Sequence, residues 1–259
     1  MTLALPAARV FQRNWLVYRR LWHRSIAFGF LVPILFLTSM GLGLGGLMTA
    51  ADASAFGGID YLAFVGTGLL AGSGMQTATF ESTYPIMNKI MWGKNYEAML
   101  STPLGVRHLV IGELAWVAFR LATIGVVFLV ALLLFGVVET PLAALAVPIV
   151  VLSGIGFSAW LIAFTATQKN DVGFSAIFRF VVNPLFLFSG TFFPLTQLPD
   201  QIEWIAWLTP LFHAVELIRG VVLDQINAGA DLAHLAYLVV FFAIGAVLAD
   251  RSLLRRMWS

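Results

Sequence analysis

The distribution of charged residues constrains the fold of this chain more than any other feature of its sequence. Six stretches of at least 18 residues contain no Asp, Glu, Lys or Arg: 25–51, 61–80, 121–138, 140–168, 180–199 and 232–249. A bilayer hydrocarbon core is about 30 Å thick, and about 20 apolar helical residues cross it. We therefore predict an all-α polytopic membrane protein in which residues 1–259 form a single transmembrane domain. The six predicted transmembrane helices are about residues 25–48, 60–80, 109–138, 142–165, 173–195 and 232–250.

The basic residues predict how these helices are oriented. Six crossings would place twelve of the fifteen Lys and Arg residues on one side of the membrane and only Arg219 on the other, which also holds seven acidic residues. Short loops rich in Lys and Arg stay in the cytoplasm. Both termini are therefore predicted to be cytoplasmic, which requires an even number of crossings.

The composition excludes several classes of protein and site. The chain is 60% hydrophobic and 11% charged, with a mean hydropathy of +0.90. It contains no cysteine, which excludes disulfides, thiolate nucleophiles and cysteine-ligated metals. A net charge of +2 indicates no nucleic-acid partner. The first uncharged stretch, with 27 residues, is far longer than the roughly 7–15 apolar residues of a signal peptide, so we expect an uncleaved first span.

Residues 6–24 have the pattern of an amphipathic helix. On a helical projection, one stripe carries basic side chains and the opposite face carries aromatic ones. The basic stripe contains Arg9, Arg13, Arg20 and Arg24, and the aromatic face contains Phe11, Trp15, Tyr18 and Trp22. Such a helix is typical of the lipid headgroup layer. It is either a simple anchor at the membrane surface or a helix that also contacts a cytoplasmic partner.

Residues 81–108 form the longest predicted cytoplasmic connection. Its 28 residues exceed what a turn between two helices needs. The segment mixes charged, aromatic and methionine side chains, which predicts a contact surface carried by a short helix. A plain long loop is the alternative.

Several features near the predicted spans concern local structure. The spacing of Gly68 and Gly72 predicts a close approach of another element. We expect Glu113, Arg120 and Arg179, which flank spans three and five, to reach the membrane surface with their charged groups. A local irregularity is predicted at Asn183-Pro184 within span five.

Residues 196–231 predict two short helices that dip into the outer leaflet before the last span. Pro199-Asp200 can begin the first, and Thr209-Pro210 supplies an N-cap and a first-turn proline for the second. A seventh span over Trp204–Leu223 is the alternative. It would bury His213, Glu216 and Arg219 and move the C-terminal arginines outside.

The motifs of several chemistries are absent. The only Gly-Lys pair, Gly93-Lys94, is followed by Asn95 and lacks the glycine pattern of a phosphate-binding P-loop. The four histidines are predicted to lie apart in different segments, which indicates no metal site. No span has a charge near its middle, unlike most ion-driven carriers. An energy source for transport would therefore have to lie on another chain.

Several segments, in order, resemble the permeases of type-2 ABC transporters. They are residues 96–104 (YEAMLSTPL), 109–113 (LVIGE), 183–194 (NPLFLFSGTFFP), 208–211 (LTPL) and 216–220 (ELIRG). Within that family the chain is most similar to permeases of nodulation-factor (lipo-chitin oligosaccharide) export and of daunorubicin-type drug resistance. The resemblance covers essentially the whole chain.

The resemblance implies a permease subunit of an ATP-driven exporter in the bacterial plasma membrane. Its partners would be an ABC ATP-binding subunit, which holds ATP and Mg²⁺, and a second permease that is an identical or homologous copy. This chain would bind no cofactor of its own. The cargo would be an amphipathic drug, a lipid-linked molecule or an oligosaccharide. The alternatives are an ion-coupled secondary carrier and a membrane scaffold that transports nothing.

The resemblance also implies roles for particular residues. Residues 6–24 would be the connecting helix, with its four arginines Arg9, Arg13, Arg20 and Arg24. The residues expected to contact the ATPase are Lys89, Met91, Trp92, Lys94, Tyr96 and Glu97. Spans two and five would line the substrate path, with Met75, Asn183, Phe186 and Phe188 as the candidate residues.

Overall fold

The computed structural model describes residues 4–20, 31, 33–44, 56, 58–197 and 200–258, and across these residues it contains helices and no strand. The helices before the long connection are α1 (Ala4–Tyr18), α2 (33–44, ending in the π-helical turn Ser39–Leu44) and α3 (Tyr61–Ser82). The connection contains α4 (Tyr84–Met87, continued by the π-helical turn Asn88–Trp92) and α5 (Asn95–Leu100). The remaining helices are α6 (Val106–Leu134), α7 (Pro141–Thr167), α8 (Val172–Phe188), α9 (Asp200–Trp207), α10 (Pro210–Val222) and α11 (Ala228–Trp258).

Three of these helices, α6, α7 and α11, are long and apolar enough to cross a membrane, and α8 is a shorter apolar helix. The predicted all-helical class is confirmed for the described residues. Much of the predicted first span, 25–48, lies outside them. The number of crossings therefore stays a prediction.

Helix α3 is the most enclosed of the long helices. Fifteen of its 22 residues are buried, and it packs against α6, α7 and α10. Two of its buried hydroxyl groups are satisfied within the helix, as Thr67 Oγ1 donates to the Ala63 carbonyl at 2.9 Å and Thr79 Oγ1 to that of Met75 at 2.8 Å. A helix surrounded by protein can carry polar groups that a lipid-facing helix would expose to hydrocarbon.

Helix α7 is the centre of the packing, because it contacts α3, α6, α10 and α11. Two of its glycines allow close approach: a Cβ at Gly156 would lie 3.0 Å from the Phe241 ring, and one at Gly154 would meet Leu121. Helix α11 covers the outer side of α7 and leaves large apolar side chains exposed, including Leu232 and Val240. An exposed apolar face of this kind suits contact with lipid.

The two ends of the bundle are formed by different helices. At one end, here called the α1 end, α1 meets the 84–100 connection, the beginning of α6 and the C-terminal part of α11. At the other, the α10 end, α10 packs beside the beginnings of α3 and α7. The first and last described helices thus share one end, as an even number of crossings requires.

Two predicted local features are confirmed. Thr209 caps α10 by accepting a hydrogen bond from the Phe212 amide at 3.3 Å, with Pro210 in the first turn. In α8, the π-helical turn Phe178–Val182 directly precedes Asn183-Pro184. A π turn accommodates the amide hydrogen bond that proline cannot make.

The structure does not form the single helix that the seven-span alternative needs. A turn at Leu208 and Thr209 separates α9 from α10, so Trp204–Leu223 is not one helix. Helix α10 has 13 residues, which correspond to about 20 Å at 1.5 Å per residue. That length does not cross a hydrocarbon core of about 30 Å.

Candidate functional site

The 84–100 connection carries an exposed turn at the α1 end. Lys94 has a left-handed backbone (φ 46°) and joins the π-helical turn after α4 to α5. Around it, Trp92 is 58% exposed, and the Lys94 and Glu97 side chains are 70% and 56% exposed. A large aromatic ring held in solvent beside paired charges is typical of a protein contact surface. We call Trp92, Lys94 and Glu97 the coupling turn; Met91 beside it is half-buried.

Two of the six residues predicted to contact the ATPase lie inside the protein. Lys89 is 7% exposed and Tyr96 is fully buried. Tyr96 packs in an apolar cluster with Val10, Ile86 and Leu109. Neither side chain is exposed for direct contact in this structure, because their helical turns face α1 and α6.

Lys89 is buried because α6 supplies its counterion. The Lys89 Nζ lies 2.6 Å from Glu113 Oε2, and Asn14 Nδ2 donates to the same oxygen at 3.0 Å. Glu113 is only 2% exposed, so the prediction that it reaches the membrane surface is wrong. A buried carboxylate needs such partners to offset its desolvation. The Tyr96 hydroxyl approaches this carboxylate without reaching hydrogen-bond geometry, and burial together with the Glu113 charge raises the pKa of Tyr96 well above its usual value.

A second ion pair lies beside the first. Arg120 Nε donates to Glu81 Oε1 at 3.0 Å, and the Trp116 indole donates to the other oxygen at 3.2 Å. The Arg120 guanidinium also lies 4.8 Å from the centre of the Tyr18 ring. Its side chain is 15% exposed, and the location of Arg120 at the membrane surface stays a prediction. Arg179 is exposed, and its location at the membrane surface stays a prediction.

The aromatic face of α1 contacts protein, where the sequence predicted the headgroup layer. Phe11 packs edge-on against Trp116 at 5.8 Å between ring centres, and Trp15 against Phe119 at 5.4 Å. Gly112 permits this approach, since a Cβ there would lie 2.5 Å from Val10. Of the basic stripe, Arg9 and Arg20 are exposed and Arg13 is half-buried, while Arg24 lies outside the described residues.

These contacts connect the coupling turn to the rest of the bundle. The Glu113 network joins α1, the turn after α4, and α6, while the Glu81–Arg120 pair joins α3 to α6. A displacement of the coupling turn would therefore be transmitted to α1 and α6 through a buried ion pair.

The four predicted path residues have different environments. Met75 is 1% exposed within the core, so it lines no open path in this structure. Phe186 is half-buried and its ring fills the space above Gly72, while the backbone of Thr191 would lie 2.7 Å from a Cβ at Gly68. The predicted close approach at these two glycines is confirmed.

The other two path residues, Asn183 and Phe188, are exposed on α8. They belong to an apolar face with Phe180, which is 77% exposed, and Leu187. An apolar groove of about 330 Å³ lies between this face and α9, lined by Pro184, Phe188 and Ile205 among others. This surface can accommodate an apolar ligand or another helix.

Arg219, to which the sequence assigned an outer location but no role, is buried and organises the α10 end. Arg219 is 7% exposed and lies 3.7 Å from the centre of the Phe64 ring. It donates to Glu216 on its own helix at 2.7 Å and to the carbonyl of Gly190 at 2.9 Å. Arg219 thus joins α10 to α3 and to the turn that follows α8.

The histidines at this end are not isolated as predicted. The Nδ1 atoms of His213 and His234 are 2.6 Å apart, and His213 Nε2 lies 2.9 Å from the Trp207 carbonyl. Their segments are 21 residues apart, and the packing of α10 on α11 brings them together. Over the described ranges no third ligand completes a metal site.

Comparison with known proteins gives concordant matches. A sequence profile of the family described as ABC-2 type transporter matches residues 8–223. Nodulation protein J of Rhizobium leguminosarum biovar viciae is 31% identical over 95% of this chain and 94% of its own length. Nodulation protein J of Sinorhizobium fredii is 30% identical over 96% and 93%, and that of Rhizobium meliloti is 29% identical over 97% of both chains.

Proposed function

Because the chain belongs to the ABC-2 type transporter family and is the membrane permease subunit of an exporter, we propose that ATP binding on a separate subunit drives it through the coupling turn. Subunits of this family work with an ABC ATP-binding partner. Family membership leaves the ion-coupled carrier and the scaffold without support.

The proposed orientation places the α1 end in the cytoplasm of the bacterial plasma membrane. The positive-inside rule supports it, because that end carries Arg9, Arg20, Lys94, Arg107 and Arg255. The shared location of the first and last described helices supports it as well. In this orientation the coupling turn projects toward the cytoplasmic ATPase.

The proposed coupling rests on one observation, an exposed turn backed by a buried ion pair. Trp92, Lys94 and Glu97 would contact the ATPase, and the Lys89–Glu113 pair behind them would pass the movement to α6 and α1. A rigid charged contact transmits a displacement better than a flexible loop, since a packed interior has few alternative arrangements. ATP and Mg²⁺ would bind only to the partner.

The proposed path lies along the exposed face of α8. A second permease, identical or homologous, would face Asn183 and Phe188 across it. The apolar character of this face and its groove suits an amphipathic drug or a lipid-linked or oligosaccharide cargo with an apolar part. The cargo must contact the inward and outward states differently, or ATP could drive no transport.

Reconstitution with the ATP-binding subunit tests this function. Lys94→Glu is expected to lower cargo-stimulated ATP turnover by about tenfold, since reversing a charge at a contact costs about 1–2 kcal/mol. Arg255→Glu, which makes the same charge change on the exposed end of α11, is the matched control and should retain turnover within about twofold. Equal effects of the two variants would contradict coupling through the turn.

A further inference from the structure

We propose that a cleft beside the Glu113 network binds the phosphate group of an anionic phospholipid. The cleft has a volume of about 280 Å³ and lies between α1, the beginning of α4 and α6. Three cations line it, Arg13, Lys89 and Arg120, together with the carboxylate of Glu81. This ligand would be distinct from the exported cargo, because the cleft is far along the bundle from the α8 groove and shares no lining residue with it.

The charges around the cleft are not balanced. Lys89 and Arg120 each hold a carboxylate partner. Arg13 donates to the Asn14 side-chain oxygen at 3.3 Å, and no carboxylate pairs with it anywhere in 4–20, 33–44, 58–197 or 200–258. One positive charge therefore remains for a ligand. A planar guanidinium is well suited to donate two hydrogen bonds to a phosphate.

The surroundings of the cleft indicate a lipid as the source of that phosphate. Val17 lines the cleft and is 55% exposed, and the adjacent Leu16 is 54% exposed. A cleft that carries charged side chains and opens beside an exposed apolar strip fits a molecule with a charged head and acyl chains. Tyr18 and Trp116, which also line it, belong to the residue types that collect at the membrane interface.

The proposed orientation, on which this inference rests, puts the cleft at the inner leaflet, where anionic headgroups occupy basic pockets between helices. Because Pro85 and Asn88 form one wall and α1 the other, a bound headgroup would brace the connecting helix against the coupling segment. Anionic lipid would then stabilise the arrangement through which the ATPase acts.

The test uses the purified full chain in neutral maltoside micelles, where no anionic surface attracts ligand. Phosphatidylglycerol is titrated in, and the retained lipid is counted by native mass spectrometry. Arg13→Gln should weaken retention by about tenfold, the equivalent of one lost charge-assisted hydrogen bond. Arg19→Gln is the matched control, because Arg19 is exposed beside the end of α1 and does not line the cleft. It should change retention less than about twofold.

Two further comparisons keep the proposal falsifiable if Arg13→Gln fails to fold. Arg13→Lys retains the charge but not the planar pair of donors, so its retention of lipid should fall between those of the parent chain and Arg13→Gln. The parent chain should retain phosphatidylglycerol and release phosphatidylcholine. Equal retention of the two lipids would overturn the proposal, as would equal losses in Arg13→Gln and Arg19→Gln.

The source of the phosphate is decided by competition. Inorganic phosphate and glycerol 3-phosphate should not displace the lipid at equal concentration, because neither supplies acyl chains for Val17. Displacement would overturn the lipid assignment. None of these measurements involves ATP. If the chain drives ATP-dependent export but does not retain anionic lipid, this inference alone is refuted. Lipid binding without export would refute only the proposed function.

Discussion

The two ends of the bundle both bury charged groups, but they compensate them differently. At the α1 end, two ion pairs join residues 24 and 39 positions apart on different helices. At the α10 end, Arg219 pairs with Glu216 on its own helix and reaches other elements through carbonyl oxygens and the Phe64 ring. If the Arg219 contacts break, no carboxylate is left enclosed, because the Glu216 side chain is 36% exposed.

This difference assigns a different mechanical role to each end. An ion pair with both partners buried is costly to separate, so the α1 end should move as one body. At the α10 end, the contacts of Arg219 with other elements are hydrogen bonds to carbonyls, which can be exchanged for water. We therefore expect the α10 end to open while the α1 end keeps its internal contacts.

The largest effect is expected from Glu113→Gln. It leaves Lys89 buried without a counterion, which should destabilise the protein by about 3 kcal/mol or more. The measurement is thermal unfolding of the purified chain in detergent. Adding Lys89→Met, which removes the stranded charge, should recover most of the loss. A double variant no more stable than Glu113→Gln would contradict the importance of this pair.

A smaller loss of stability is expected from Arg219→Met, measured by the same thermal unfolding in detergent. Hydrogen bonds between helices in membrane proteins contribute about 1–2 kcal/mol at most, so the loss should be of that size. Arg219→Lys should fall between the parent and Arg219→Met, because an ammonium group reaches fewer of the acceptors. If Arg219→Met proved as destabilising as Glu113→Gln, the contrast between the two ends would be wrong.

The smallest loss of stability is expected when the packing of α3 against the turn after α8 is disturbed. Gly68→Ala should lower the free energy of unfolding by about 1–3 kcal/mol if the Thr191 backbone cannot move. The loss should be smaller if the turn after α8 can shift, as proposed for this end. We expect a loss near 1 kcal/mol. Gly125→Ala in α6, where a Cβ would meet Val147 at an ordinary 3.6 Å, is the control and should be neutral or stabilising. A loss above about 3 kcal/mol would indicate a rigid α10 end.

The all-helical class and several long apolar helices were predictable, because uncharged runs and capping residues are local signals. The helices over 61–82, 106–134, 141–167 and 228–258 each contain most of one uncharged run, namely 61–80, 121–138, 140–168 and 232–249. The beginning of α10 follows from Thr209-Pro210. Each of these signals depends only on neighbouring residues.

The direction of individual side chains was not predictable in the same way. Lys89 faces inward because Glu113, 24 residues later, lies opposite it. His213 meets His234 only because α10 packs on α11. Met75 was expected on a path but is enclosed by the packing of α3. Such contacts depend on tertiary packing, which helical periodicity does not specify. The only sequence signal for an inward-facing charge was a charged residue near the end of a predicted span.

The proposed function requires that the coupling turn faces the cytoplasm and meets the ATPase there. Because the chain has no cysteine, single substitutions Lys94→Cys, Arg255→Cys and Gln225→Cys can be labelled with a maleimide that does not cross membranes. Positions 94 and 255 should react only in inside-out vesicles and position 225 only in right-side-out vesicles, and the ATP-binding subunit should protect position 94 but not 255. Reaction of positions 94 and 255 from opposite sides, or no protection at 94, would contradict the account.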